Sequence, residues 1–269
     1  MTARPLEGRV VAILGASQRG GAGWNVAKVL AAAGADVHVA ARRLEKVEEL
    51  AEEIGGTAHR CDATDEAEVA AFVEAAAART GQIDIAVAAV GLGSFGTIDD
   101  TSMAKLNEAM QVNFFGPFQF ARFCARHMNS GASIVLFSSI VSTDVLQGSI
   151  AYAAAKGALN TFTRYAAFEY APRGIRVNAI KAGMLEGPQA RRWRQAGMFD
   201  RFLKEIPLTR AVETEELARM IIWLANDAPS ITGEIIHVDG GAHLRRPLTP
   251  DEMAGDGLAS MGKRRIPEN

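Results

Sequence analysis

The chain has 269 residues, 48% hydrophobic and 22% charged, with a formal net charge of -2, and a chain of this size and make-up buries roughly three quarters of its unfolded surface. That composition excludes a disordered chain, and the near-neutral charge excludes a protein built to coat nucleic acid. Two cysteines, Cys61 and Cys124, are too few for a disulfide framework, have no metal-ligand spacing and read as packing residues.

The opening "MTARPLEGRVVAILG" runs from a polar lead into a β-rich run without the apolar core of a signal peptide. No uncharged stretch reaches the length of a membrane span, so a cytoplasmic chain with no membrane partner is expected. Apolar β-rich runs then alternate with alanine-rich helical segments. "RVVAILGA" predicts a strand, with a helix around 23–33; "DVHVAAR" predicts the next, with a helix around 44–54; "TAHRCDAT" the third, with a helix around 65–79. The second half continues with "IDIAVAAVG", a long helical stretch around 103–128, "SIVLFSS", a helix around 150–171, "IRVNAIKAG", a helix around 213–226, and "EIIHVDGG". Continuous apolar strands are buried on both faces, which marks a parallel sheet covered by helices. The expected fold is one α/β domain over residues 1–269, a doubly wound sheet of about seven strands. Residues 184–210 are too long for a plain connection and predict a helical flap. The tail from 242 to 269 is either loose or packed on a neighbouring subunit.

The first strand ends in "LGASQRGGAGWNVAKVLAAAG", with Gly15, Gly20, Gly21 and Gly23 just ahead of a helix. Glycines there let the backbone approach a pyrophosphate, which the N–H groups of the helix start then hold. The second strand ends in Arg42 and Arg43, where an acidic residue would bind the ribose hydroxyls of NAD. A 2'-phosphate suits these guanidiniums better, and the bland alternative is a pair of solvated charges.

With these residues the chain resembles the short-chain dehydrogenase/reductases. The resemblance extends over about residues 6–241 and implies an NADP(H)-dependent oxidoreductase. Gly15, Gly21, Ala22 and Gly23 fall in the family's glycine loop, which is here two residues longer; which of Ser17, Gln18 and Arg19 meets the phosphates stays open, and Arg19 offers a further guanidinium to a 2'-phosphate. Asp62, with Ala63 beside it, matches the family's adenine contact, although an aspartate after a strand is more often a turn residue. Where the family has Asn-Asn-Ala-Gly, the chain has Ala88, Ala89, Val90 and Gly91, so a brace of the sheet is replaced or missing. Ala182, Gly183 and Leu185 lie in the segment that orients the nicotinamide carboxamide, with Ala182 in place of the family's proline. Thr232, Gly233, Asp239, Gly240 and Gly241 match the last strand.

Ser139 closes the strand "SIVLFSS", Tyr152 follows 13 residues later, and Lys156 sits one helical turn beyond it on the same face. This matches the family's catalytic serine and Tyr-x-x-x-Lys pair, with Ser138 the weaker serine candidate. Tyrosine, with a pKa of about 10, is a poor acid, and a neighbouring lysine favours its phenolate. Ser139 would hold a developing oxyanion. By resemblance Asn113 holds a relay water; the other reading has it satisfying a backbone group.

For the substrate, Ser139, Tyr152, Leu146, Met184 and Trp193 are the candidates, with Val145, Ile150, Leu92 and Phe95 as further apolar wall. The flap aromatics either cover a hydrophobic or ringed substrate or simply pack the flap, and its arginines attract an acidic group or face water. His38, His59, His127, His237 and His243 show no ligand spacing, so no metal is expected. The reading is a ketone and secondary-alcohol oxidoreductase. A 3-oxoacyl carrier-protein reductase is the alternative, and a catalytically impaired NADP(H)-binding sensor is the alternative of another class. A cofactor-free halohydrin-opening relative would need arginine at Lys156. A homotetramer or homodimer is expected from the resemblance.

Overall fold

Strands form where the apolar runs are unbroken. The computed structural model describes residues 4–245. In it β1 (Val10–Leu14), β2 (Asp36–Ala41), β3 (Thr57–Arg60), β4 (Ile85–Ala88), β5 (Ser133–Ser139), β6 (Arg176–Ala182) and β7 (Ile235–Val238) form one sheet in the order β3-β2-β1-β4-β5-β6-β7. Every pairing is parallel. All residues of β1, β4 and β6 are buried, as helices on both faces require. The expected doubly wound, seven-stranded sheet is what the chain forms.

The helices are α1 (Ala22–Ala32), α2 (Leu44–Ile54), α3 (Glu66–Ala77), α4 (Met103–Met110), α5 (Gly116–Arg126), α6 (Ile150–Tyr170), α7 (Pro188–Gln195), α8 (Phe199–Lys204) and α9 (Thr214–Asn226). Trp24, Val26 and Leu30 of α1, Val47 and Leu50 of α2, and Leu217 and Ile221 of α9 pack into one core layer. On the opposite face Phe72 of α3, Phe120 of α5 and Leu159 of α6 fill the other. Among the described residues no helix is long and apolar enough to cross a membrane. The flap is helical, as expected, in α7 and α8; the tail beyond residue 245 lies outside the described residues.

Two polar residues inside β6 are there to hold its neighbours. The Arg176 guanidinium donates to the carbonyls of Leu224, Ala225 and Ala228 at the C-terminal end of α9, where the helix dipole favours a cation. Asn178 Nδ2 donates to Ile231 O at 3.0 Å and its Oδ1 accepts from Glu234 N at 3.0 Å, which fixes the entry to β7.

The single long helix expected over 103–128 is broken. A π-helical turn, Gln111–Phe115, separates α4 from α5. Asn113 sits in it fully buried, and its amide clasps the backbone of Leu92. Such turns are frequent at functional sites.

Candidate active site

The sheet order reverses between β1 and β4, and a cleft of about 540 Å³ opens there at the carboxyl ends of the strands. Gly15, Ser17, Gln18, Gly21, Ala22, Gly23, Arg42, Arg43, Asp62, Ala63, Ala89 and Gly91 all line it, so twelve of the sequence-derived candidates meet in one place. Gly15 has φ +101°, and a Cβ there would lie 2.6 Å from Val90 N. A Cβ on Gly23 would meet Gly15 O at 2.3 Å, so both positions need bare backbone for β1, α1 and the loop after β4 to approach. Gly21 caps α1 without any side-chain hydrogen bond, leaving the helix's first N–H groups turned to the cleft. That arrangement fits the pyrophosphate of a dinucleotide.

Gly20, in the longer glycine loop, does not line the cleft. Instead its carbonyl supports Gly187 at the base of the flap, where a Cβ would approach to 2.7 Å. Arg19 is not brought to the cleft either: it pairs with Glu49 and lies 5.6 Å from the centre of the Trp24 ring. Arg43 donates to Ser17 O at 3.0 Å and to Ser17 Oγ at 3.1 Å, holding the loop against the end of β2. Asp62 Oδ1 accepts from Thr64 N at 2.9 Å and from Thr64 Oγ1 at 2.8 Å, as in a turn, while the residue still lines the cleft.

The loop after β4 keeps its shape without the family's asparagines. Asn113 Oδ1 accepts from Leu92 N at 2.9 Å, and Nδ2 donates to Leu92 O and Ala109 O at 3.0 and 2.9 Å. Both N–H groups of this amide are thereby used by protein, which is the backbone-satisfying role. Lys156 adds a second brace from below, donating to Phe137 O at 2.7 Å and Val90 O at 3.4 Å.

Ser139 ends β5, and Tyr152 and Lys156 occupy the first two turns of α6 beside it. The Ser139 hydroxyl lies near enough to the Tyr152 phenol to favour its phenolate. Burial holds that phenol above its ordinary pKa, and the nearby Ser139 hydroxyl pulls the other way. The lowering by Lys156 expected from the sequence is not found, since Nζ is turned to two carbonyls and stands 5.7 Å from the centre of the phenol ring. Burial brings the lysine itself down to about 7. Ser138 points away: its Oγ donates to Asn160 Oδ1 at 2.6 Å, Asn160 Nδ2 donates to Ser142 Oγ at 2.8 Å, and Ser142 Oγ donates to Ser139 O at 2.6 Å. This chain fixes the backbone under Ser139. The structure thus separates the two serines as their spacing from Tyr152 did.

Beyond Ser139 lies an apolar cavity walled by Leu146 and Met184 together with Ile140, Val141, Phe202 and Ile206. Phe202 is one of the flap aromatics that the sequence offered as a cover for the substrate, whereas Ile140, Val141 and Ile206 escaped it, because nothing in their local sequence says which residues after β5 the flap meets. Trp193 does not line this cavity; it stacks on Phe202 at 4.8 Å inside the flap. Val145, Ile150 and Phe95 are exposed, at 83%, 42% and 60%, and form no wall. Gly183 packs against Asp239, where a Cβ would lie 2.7 Å from Asp239 Cβ, while Leu185 and Ala182 hold β6 to its neighbours by pairing with Val212 and Val238.

A parallel sheet with a dinucleotide cleft, and a serine, tyrosine and lysine at its rim, defines an oxidoreductase of the nicotinamide-using class. A family model described as enoyl-(acyl carrier protein) reductase matches residues 15–243. The chain is 33% identical to enoyl-[acyl-carrier-protein] reductase [NADH] 1 of Rhizobium meliloti, over 88% of this chain and 91% of that one. It is 32% identical to 3-oxoacyl-[acyl-carrier-protein] reductase of Rattus norvegicus, over 88% and 98%. A short-chain type dehydrogenase/reductase structure from Mycobacterium ulcerans superposes with a TM-score of 0.85 at 29% identity, over 90% of this chain and 92% of that one. The chain belongs to the short-chain dehydrogenase/reductase family.

Proposed function

We propose that this protein is an NADP(H)-dependent oxidoreductase that interconverts a ketone and a secondary alcohol. The observation that carries the reading is Ser139 near Tyr152, with Lys156 bonded to Val90 of the dinucleotide cleft and Ile140, next to Ser139, lining the apolar cavity. When bound, the reduced nicotinamide supplies the hydride. Tyr152 gives its proton to the carbonyl oxygen as the carbon receives that hydride, and takes a proton back in the reverse direction. Ser139 donates a hydrogen bond to the same oxygen while charge builds on it. Lys156, a turn along α6, braces the loop after β4 beside the cleft through Val90 O; Gly183 and Leu185 offer backbone to the carboxamide.

Preference for the 2'-phosphate rests on Arg42 and Arg43 at the cleft, with Ser17 between Arg43 and the phosphates. Arg42 makes no ion pair among the described residues, so its guanidinium is available. The substrate is a small carbonyl or alcohol compound with an apolar or ringed body, in keeping with Leu146, Met184 and Phe202. Acyl thioesters are the second reading, favoured by the names of the two relatives. Exposed Tyr165 and Phe168 on α6 support a homotetramer or homodimer, and a cytoplasmic enzyme is in keeping with the composition.

The test is a screen of ring ketones, aliphatic alcohols and 3-oxoacyl thioesters with both cofactors, read by absorbance of the reduced nicotinamide. Turnover of ketones with NADPH is expected; a chain that binds NADPH and turns over nothing is the sensor instead. Arg42→Ala should weaken NADPH at least tenfold more than NADH, and equal losses count against the phosphate assignment.

A further inference from the structure

The last strand ends in a second cluster, far from this chemistry in kind. His237 and Asp239 come from β7 and the turn after it. Gly240 and Gly241 are both left-handed, at φ +66° and +86°, and turn the chain so that the short helical turn Ala242–Leu244 brings His243 back over His237. The two imidazoles stack at 4.0 Å and 26°. Residues six apart on a strand and a turn carry no linear spacing, which is why the sequence hid them.

Asp239 is buried and organises the group. Its Oδ1 accepts from Gly241 N at 2.9 Å, and its Oδ2 accepts from His243 N at 3.1 Å and lies 2.8 Å from His243 Nδ1. Oδ2 and His243 Nδ1 are already about as close as two ligands of one ion, so the tautomer of His243 that carries its proton on Nε2 presents Nδ1 beside the carboxylate to the same metal. The His237 side chain makes no hydrogen bond among the described residues, so its ring nitrogens are not spent on the protein. One ligand atom from each of the three residues lies within 4.8 Å of the other two. Ligands of a tetrahedral zinc stand roughly 3.4 Å apart, so rotation of the side chains by about an ångström closes the set. Lys181, the cross-strand partner of His237, adds an opposing charge, but its Nζ is held by Thr143 Oγ1 at 2.9 Å.

We propose that His237, Asp239 and His243 form a binding site for a transition-metal dication, with zinc the match to two imidazoles and a carboxylate. Two imidazoles select against magnesium and calcium, which take oxygen ligands. The site would act on the enzyme through its neighbours: Gly183 packs against Asp239, and Ala242 and Arg245 of the same turn line the apolar cavity. A bound ion would therefore stiffen one wall of that cavity without touching Tyr152.

The experiment uses the untagged full-length chain, treated with chelator and dialysed, then titrated with zinc chloride by calorimetry and assayed for metal content. One zinc per chain and a raised melting temperature are expected. His237→Ala, at an exposed position, should weaken binding by about tenfold or more, while His127→Ala, on a histidine bonded to Glu74, should leave it unchanged. Circular dichroism of each metal-free variant checks that it folds. No stoichiometric binding, or equal binding in parent and His237→Ala, overturns the proposal. Because the readout is metal content, its failure is distinct from failure of the oxidoreductase reading.

Discussion

Lys156 is asked to do two things that pull apart. It is almost wholly buried and bonded to two carbonyls, with no carboxylate against it, so desolvation drives its pKa from 10.5 to about 7. The unfolded chain keeps this proton up to about pH 10.4 while the folded chain releases it near 7, so between those values the unfolded state binds more protons and stability rises with pH. Lys156→Met removes the buried charge. The variant should be at least as stable as the parent near pH 6.5, should lack the parent's gain on going to pH 9.5, and should lose turnover; urea denaturation at the two pH values checks it. A variant with the same pH slope as the parent would remove Lys156 as its source. Tyr152→Phe keeps the ring and deletes the proton. Turnover should fall by about 10²–10⁴-fold, what a positioned acid supplies, with NADPH binding measured by fluorescence nearly unchanged. At this scale the sequence displayed the reactive residues well, because spacing along one strand end and one helix is local. It did not show where a side chain turns: Arg19 went to Glu49, and Lys156 to Phe137 O rather than to the phenol.

Elements were the most legible level. Strand runs such as "SIVLFSS" and "IRVNAIKAG" became β5 and β6 within two residues of their expected ends, since a buried parallel strand has no polar breaks other than those that staple its neighbours. The π-helical turn was not legible, because shifting one turn of hydrogen bonds leaves the helical composition of 103–128 intact. Its consequence is testable. Asn113→Ala would remove the side-chain partner of Leu92 N and Leu92 O, both partly buried, and of buried Ala109 O. A loss of about 2–4 kcal/mol is expected from those unmet groups, measured by chemical denaturation, and hydrogen exchange at Leu92 should quicken. Unchanged exchange there would mean that the clasp does not hold the loop. Asn113→Asp should retain the bond from Leu92 N and so lose less.

On the scale of the whole molecule, the switch in strand order opens the dinucleotide cleft while the flap and the residues after β5 wall the apolar cavity, and the far edge of the sheet has a different role. There, on β2 and β3, His38 Nδ1 faces His59 Nε2 at 3.1 Å, and His59 also packs on Phe72. Such a bond needs one ring nitrogen with a proton and one without, so a proton added to the accepting imidazole sets two N–H groups against each other. Burial, then the charge of His38, holds His59 down at about 4, against an ordinary value near 6.5. The folded state resists a proton that the unfolded chain accepts, so this contribution is complete above about pH 6.5 and is lost as pH falls toward 4. The slope is at most about 1.4 kcal/mol per pH unit for one proton. Stability measured by denaturant from pH 7.5 to 4.5 should therefore decline for the parent. His59→Gln, which keeps a polar partner for His38 but cannot titrate, should flatten that decline; an identical slope in the two proteins would place the acid sensitivity elsewhere in the fold.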